Sequence, residues 1–433
     1  MSDTAVPLPA VKTHTKLNRS QIVGFWAAWA GWTLDGMDSV IYALVLSPAL
    51  NELLPKSGIK ATPASVGYAG SVLFALFLVG WGLSLIWGPI ADRFGRTRVL
   101  AATIFVYAVF TGLAALSQNV YQLALFRLLA GIGIGGEWAL AGTYVAEAWP
   151  EDRRKMGAGY LQTGYYAGFF LASALNFTVG AHYGWRAMFW CGLTPVIVAF
   201  IVLRRVKEPE RWERKATKHA LARHPFVSIF SPPYARRTVV NAVLLTAAIC
   251  GLWAGAVYAP TAIITLAKKA GMVQPEAVKI SSFGMGLLSL GTILGCLALP
   301  PLAERFGRRL TLAFYFIGMA ICILLSFGWA FYLPQGLKPF ITALFFLGFF
   351  GGNFAMFSLW LPEQYDTSVR ATAFAFTTSF GRFIAAGVNF GIAALVRGSG
   401  TLGKPVAMTA IAFGIGLLVI PFGWETRGKP LPD

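Results

Sequence analysis

Charge is scarce in this sequence. Lys, Arg, Asp and Glu make up 12% of its 433 residues, about half the share a soluble protein carries. Acids are the scarcer sign, 18 against 36 Lys and Arg. Histidines and cysteines number four each, and Cys191, Cys250, Cys296 and Cys322 all lie in apolar stretches without metal-ligand spacing. They read as small packing residues, and no metal is expected. No nucleophile–base cluster is visible, which argues against an enzyme. No phosphate-binding loop is present, so no nucleotide or other cofactor is expected to drive the protein. The net charge of +18 invites a nucleic-acid reading, but no soluble domain exists to carry a basic surface.

Apolar residues are abundant instead, 56% of the chain, with a mean hydropathy of +0.63. A membrane-crossing helix needs about 20 mostly apolar residues. Twelve such runs start near residues 21, 66, 99, 121, 158, 186, 238, 279, 310, 338, 371 and 404. The first is too long for a signal peptide and lacks a small-residue cleavage site, so it stays as a helix. Placing both termini on one side puts 25 Lys and Arg there against 9 on the other. The richer side is expected to be cytoplasmic. The predicted boundaries are a cytoplasmic N-terminal tail (1–20), a six-helix bundle (21–203), a cytoplasmic linker (204–237), a second six-helix bundle (238–423) and a cytoplasmic tail (424–433). The linker carries ten Lys and Arg between Arg204 and Arg237, suited to anionic headgroups of the bilayer.

The chain repeats itself. Gly88-Pro89-Ile90-Ala91-Asp92-Arg93-Phe94-Gly95-Arg96 returns as Pro300-Pro301-Leu302-Ala303-Glu304-Arg305-Phe306-Gly307-Arg308, with Asp92 and Glu304 offset by 212 residues. Glu147 and Arg154 return as Glu363 and Arg370, offset by 216. A duplicated basic turn between spans implies two equivalent halves. The doubled motif resembles the cytoplasmic loops between helices 2 and 3, and 8 and 9, of the major facilitator superfamily. That resemblance implies an all-α membrane protein of twelve transmembrane helices in two pseudo-symmetric six-helix bundles. In sugar-porter-like members the matching positions form a cytoplasmic gate, which here comprises Asp92, Arg93, Arg96, Glu147, Arg154, Glu304, Arg305, Arg308, Glu363 and Arg370. Lys207-Glu208-Pro209-Glu210-Arg211 and Glu425-Thr426-Arg427-Gly428 resemble that group's Pro-Glu and Glu-Thr-Lys-Gly signatures.

Gly131, Gly133 and Gly136 satisfy G-x-G-x-x-G, but they lie inside an apolar run where a dinucleotide site would need a strand and a helix start. Close helix packing is the better reading. Five charges lie inside apolar runs: Asp35, Asp38, Arg127, Glu137 and Arg382. Each costs several kcal/mol unless paired or hydrated. Counting rise per residue puts Asp38 and Arg127 at one depth, as a candidate ion pair, and Asp35, Glu137 and Arg382 near the midplane. Leu34-Asp35-Gly36-Met37-Asp38 resembles the Asp-Gly-aromatic-Asp motif of aromatic-acid and sialate proton symporters, with Met37 in place of the aromatic. Phe126-Arg127 through Glu137-Trp138 resembles helix 4 of the sialate and metabolite proton symporters. A helix 7 signature of fungal lactate permeases is absent between Asn241 and Pro260.

The resulting expectation is proton-coupled symport of a small organic anion (a monocarboxylate, sialate or aromatic acid) by alternating access. The proton is the coupling ion, handled by Asp35, Asp38, Glu137 and Arg127. Arg382 grips the carboxylate in a planar fork, with Gln162, Tyr165, Tyr166, Asn241, Trp253 and Asn353 completing the site. A sugar or polyol symporter is the first alternative, and drug export a weaker one. The partners expected are the small-molecule substrate and the bilayer, for a monomer in a bacterial inner membrane.

Overall fold

The computed structural model describes residues 15–218 and 222–433. Most of the polar N-terminal tail lies outside the described residues. Each of the twelve apolar runs is helical. The first half contains α1 (Arg19–Lys56), α2 (Tyr68–Phe94), α3 (Arg96–Ala114), α4 (Val120–Ala148), α5 (Arg154–Leu175) and α6 (His182–Arg205). The second contains α7 (Ala235–Lys269), α8 (Glu276–Phe306), α9 (Arg308–Tyr332), α10 (Leu337–Gln364), α11 (Arg370–Val396) and α12 (Gly403–Phe422). Ten of these are long and apolar enough to cross a membrane by length and composition. The α5 run is more polar, carrying Gln162, Thr163 and three tyrosines, and packs on α1 of its own half and α8 of the other. No strand occurs among the described residues. The linker contributes a short helix, Glu210–Thr217.

Local chemistry sets the ends. Asn18 caps α1 by accepting from the Gln21 amide while the Gln21 side chain accepts from the Asn18 amide, a reciprocal capping box. Asn119 caps α4 in the same way on one side only. Pro48, Pro260, Pro300 and Pro301 lie inside helices. Neighbouring helices re-satisfy the freed backbone groups in a membrane protein. The tight α2–α3 and α8–α9 turns each pass through a glycine at positive φ, Gly95 (113°) and Gly307 (87°). An L side chain is strained there, which explains why the duplicated motif keeps glycine in both copies.

Burial is inverted relative to a soluble protein. Phe105, Phe314, Ile317 and Leu418 face outward, while Arg96, Arg127, Arg308 and Arg370 are fully buried. An outer surface of this kind is stable against hydrocarbon rather than water. The G-x-G-x-x-G run serves packing: a Cβ on Gly131 would stand 2.4 Å from the Phe77 carbonyl of α2, and one on Gly133 would stand 2.5 Å from the Tyr107 amide of α3. Between the halves, α5 packs on α8 and α2 packs on α11. These two seams enclose the central site.

Candidate functional site

A narrow cavity of about 60 Å³ lies between the halves, lined by α1, α2, α4 and α5 from one side and α8, α10 and α11 from the other. Arg382, Gln162, Tyr165 and Tyr166, all singled out from the sequence, line it. Arg382 is held firmly. Its Nη1 donates to the Thr378 carbonyl at 2.9 Å, and its guanidinium lies 4.0 Å from the Trp81 ring and 5.7 Å from that of Trp138. Its Nε has no hydrogen-bond partner. The guanidinium is therefore fixed in position by carbonyl and rings while part of its donor set stays free. The Gln162 Oε1 and Trp32 Nε1 atoms at the same cavity are also buried without partners. Buried polar atoms are normally paired, so a cluster of unpaired ones beside a cavity marks a place for a ligand.

Sequence reasoning missed most of the wall. Trp32 stacks on Trp138 at 6.0 Å with 13° between planes and meets Tyr165 at 4.8 Å. Trp138 also contacts Phe354 of α10 and Phe374 of α11, and its Nε1 donates to Ser358 Oγ across the halves at 2.9 Å. Aromatic residues in apolar runs carry no mark that separates a cavity wall from ordinary packing, so the sequence offered no signal for them.

Other expected contacts lie elsewhere. Asn241 donates to Gln364 Oε1 and to the Tyr365 hydroxyl, both at 3.1 Å. It ties α7 to the end of α10 and takes no part in the cavity wall. Asn353, at a break within α10, donates to the Phe350 carbonyl and does not line the cavity either. Trp253 lies within α7, and its side chain is outside those described.

The acids stand behind the aromatic wall. Asp35 is one turn along α1 from Trp32, and Glu137 adjoins Trp138. Both are fully buried, and neither carboxylate has a hydrogen-bond partner of ordinary geometry. Asp35 lies within electrostatic reach of Glu137, Asp38, Arg382 and Arg127. Glu137 presses against α1 where Gly31 leaves room, since a Cβ there would be 2.0 Å from Glu137 Oε1. Asp38 and Arg127 form the ion pair their depths implied, at 3.3 Å, with the guanidinium 4.2 Å from the Tyr42 ring and 4.6 Å from that of Phe77.

At the basic face the duplicated motifs form two networks related by the repeat. In one, Arg96 binds Glu147 through two bonds of 2.9 and 3.0 Å and pairs with Asp92 at 3.0 Å, and Glu147 receives Arg370 of the other half at 2.6 Å. In its counterpart, Arg308 binds Glu363 at 2.9 and 2.8 Å and Glu304 at 2.7 Å, and Glu363 receives Arg154 of the first half at 2.9 Å. The partners are exchanged: each acid takes the arginine of the opposite half, not the one seven residues along. Asp92 also caps α11 across the seam, accepting from the Ala371 and Thr372 amides and the Thr372 hydroxyl. Lys155 reaches Glu304 at 2.6 Å. Arg93 and Arg305 lie outside the networks, exposed and stacked on their neighbours Phe94 and Phe306.

Glu208 and Glu425, 217 residues apart, complete the repeat. Glu208 accepts from the Arg96, Thr97 and Arg98 amides at the start of α3, and Glu425 accepts from those of Arg308 and Arg309 at the start of α9. A carboxylate there complements the positive end of the helix. Burial works against the charge at both. At Glu208 burial prevails and the carboxyl is raised above its usual range. At Glu425 the amide bonds prevail and hold it below. The chain's last residues reinforce this closure: the Leu431 amide donates to Glu151 at 3.1 Å, and Arg370 donates to the Pro432 carbonyl. The basic face is shut. Toward the opposite face a cavity of about 420 Å³ opens between α1 and α2 on one side and α7 and α11 on the other.

Two six-helix halves around one central site, shut at one face and recessed at the other, define a membrane-embedded, multi-pass transporter. The family model described as Major Facilitator Superfamily matches residues 28–389, and the chain belongs to that family. It is 30% identical over 418 residues, 93% of this chain and 90% of the relative, to a protein of Cupriavidus pinatubonensis named "Probable 4-methylmuconolactone transporter". It is 25% identical over 454 residues, covering 98% of this chain and 97% of the relative, to the niacin transporter NiaP of Acinetobacter baylyi. Among solved structures, the proton:xylose symporter XylE superposes with a TM-score of 0.79 at 18% identity over 95% of this chain and 98% of that one. That last likeness is one of fold alone.

Proposed function

We propose that the protein is a proton-coupled symporter of a small organic anion, working by alternating access in a bacterial inner membrane. The observation that carries this reading is the pairing of a fixed, incompletely bonded Arg382 at the central cavity with two buried carboxylates behind its wall, Asp35 without a partner and Glu137 beside the Tyr107 hydroxyl. Arg382 attracts the substrate's carboxylate. Asp35, within reach of both Arg382 and the incoming anion, is the group whose proton occupancy responds to substrate. Two negative charges repel strongly where screening is weak, and a proton carried with the anion removes that repulsion. Proton and anion then move together as a nearly neutral load. The Asp38–Arg127 pair, already neutralised, anchors α1 to α4. The basic-face networks hold the cytoplasmic gate shut in the state seen here, and the opposite cavity is the route of entry. The proton serves as coupling ion, and the working unit is a monomer in the bilayer with both termini cytoplasmic.

The relatives' names support a small organic substrate, since one is named for a muconolactone and one for niacin. Benzoate serves as a probe for the test. Added to lightly buffered vesicles containing the purified protein, it should, as protons enter with it, alkalinise the external medium faster than in protein-free vesicles, where the neutral acid enters passively. Alkalinisation no faster than that passive rate, during measurable protein-dependent benzoate uptake, contradicts the coupling.

A further inference from the structure

On the membrane-facing surface the second half departs from the repeat. At the face opposite the gate networks, a groove of about 420 Å³ runs between the end of α9 and the start of α10. The last turns of α9 are π-helical from Leu324 to Trp329, whereas α3, its counterpart, stays α-helical to Ala114. π-Helical turns are rare and often mark functional positions. Lys338 opens α10 where the first half has Tyr121, at the same offset of 217 residues that relates Glu208 to Glu425. We infer that this groove binds an anionic phospholipid, with the phosphate on Lys338 and one acyl chain laid between α9 and α10.

The groove has the polarity profile of a lipid. Lys338, Thr342 and Phe346 follow one another at four-residue spacing and so line one face of α10. Leu325 and Trp329 face them from α9 with the same spacing. From Lys338 to Phe346 the wall descends about 12 Å, at roughly 1.5 Å per residue, and passes from a cation through a hydroxyl to a ring. That depth stays within one leaflet of a hydrocarbon core about 30 Å thick. Trp329 is exposed beside the mouth, at the level where indoles settle between headgroups and chains. Deeper in the groove Leu325 and Phe346 are exposed too, to hydrocarbon. A groove facing hydrocarbon is filled by a chain, since walls without neighbours forfeit dispersion contacts.

Charge decides which lipid. Among the described residues lining the groove, Lys338 is the only charged one. A headgroup with a net negative charge complements it, whereas a zwitterionic headgroup brings a cation of its own. A second copy of this chain fits less well, because a twofold contact here would bring the two Lys338 side chains together.

A photoactivatable lipid with a diazirine in its acyl chain maps the site on the full-length protein in phosphatidylcholine vesicles. Probe phosphatidylglycerol should label residues 325–346 about fivefold more than probe phosphatidylcholine does, the worth of one lysine beside an anionic headgroup. In Lys338→Gln that preference should vanish, and Lys338→Arg should keep it. Thr342→Trp fills the groove without touching the charge and should abolish labelling there by either lipid. Labelling around the outward-facing Phe105 of α3 should stay as in the parent, which shows that each variant is folded and inserted. Equal labelling by the two lipids in the parent, an unchanged preference in Lys338→Gln, or undiminished labelling in Thr342→Trp overturns the inference. Loss of the preference on adding inorganic phosphate would assign the site to a free anion. A dimer that shields the segment from both lipids would assign it to a second copy, and either outcome overturns the inference as well.

Discussion

Five charged residues are buried within the apolar helices: Asp35, Asp38, Arg127, Glu137 and Arg382. They stood out in the sequence because a charge inside an apolar run is costly wherever it falls, so each demands a partner or a purpose. Depth along the helices was enough to join Asp38 to Arg127, and the structure brings them together at 3.3 Å. Replacing Arg127 with Ala should destabilise the protein by about 3–5 kcal/mol, because Asp38 is left as an unpaired buried charge. Chemical unfolding in detergent measures it, and Arg127→Ala combined with Asp38→Asn should recover much of the loss. Neutral polar residues were less informative. Asn241 and Asn353 needed partners as any buried amide does, but a sequence cannot tell whether the partner is a ligand or the protein. Gln364 and Tyr365 supply the answer for Asn241, while Asn353 gives its Nδ2 to the Phe350 carbonyl and keeps an unpaired Oδ1. The aromatic wall was hidden for the opposite reason, since a tryptophan in hydrocarbon surroundings breaks no rule.

At the scale of elements, the duplicated turn was plainly legible, because its glycine, acid and arginines recur in order at a constant offset. Which acid meets which arginine was not legible. That depends on the seams between halves, where Arg370 crosses to Glu147 and Arg154 crosses to Glu363. Nor did the sequence assign a purpose to Glu208 and Glu425, whose work is to bind the first amides of α3 and α9 from the far end of each half. In the proposed cycle the exchanged pairs belong to the closed arrangement alone: parting the halves would take Arg370 and Arg154 from their acids while Arg96 and Arg308 keep theirs. Glu147→Gln removes the charge shared by Arg96 and Arg370 and should disfavour closure by on the order of a hundredfold. A cysteine at Ala375, buried in the α2–α11 seam against Gly88, reports on this in a background without the four native cysteines. Maleimide labelling from the basic face should rise sharply in Glu147→Gln, and unchanged labelling would leave the network a purely structural role.

For the whole molecule, twelve apolar runs, a twofold repeat and a lopsided distribution of Lys and Arg were sufficient to reach the architecture. The proposed cycle in turn accounts for the charges: two halves that rock about a central site would need that site at the midplane, where ionisable groups are otherwise excluded. The central claim is that Asp35 links the proton to the anion. Asp35→Asn holds this position permanently in its uncharged form. The measurement is benzoate transport in vesicles, less the passive entry seen in protein-free vesicles, comparing accumulation under an imposed pH gradient with counterflow in its absence. The account predicts that Asp35→Asn exchanges benzoate in counterflow yet accumulates none against its gradient, because the site no longer releases a proton inside. Gradient-driven accumulation that survives in Asp35→Asn would contradict it.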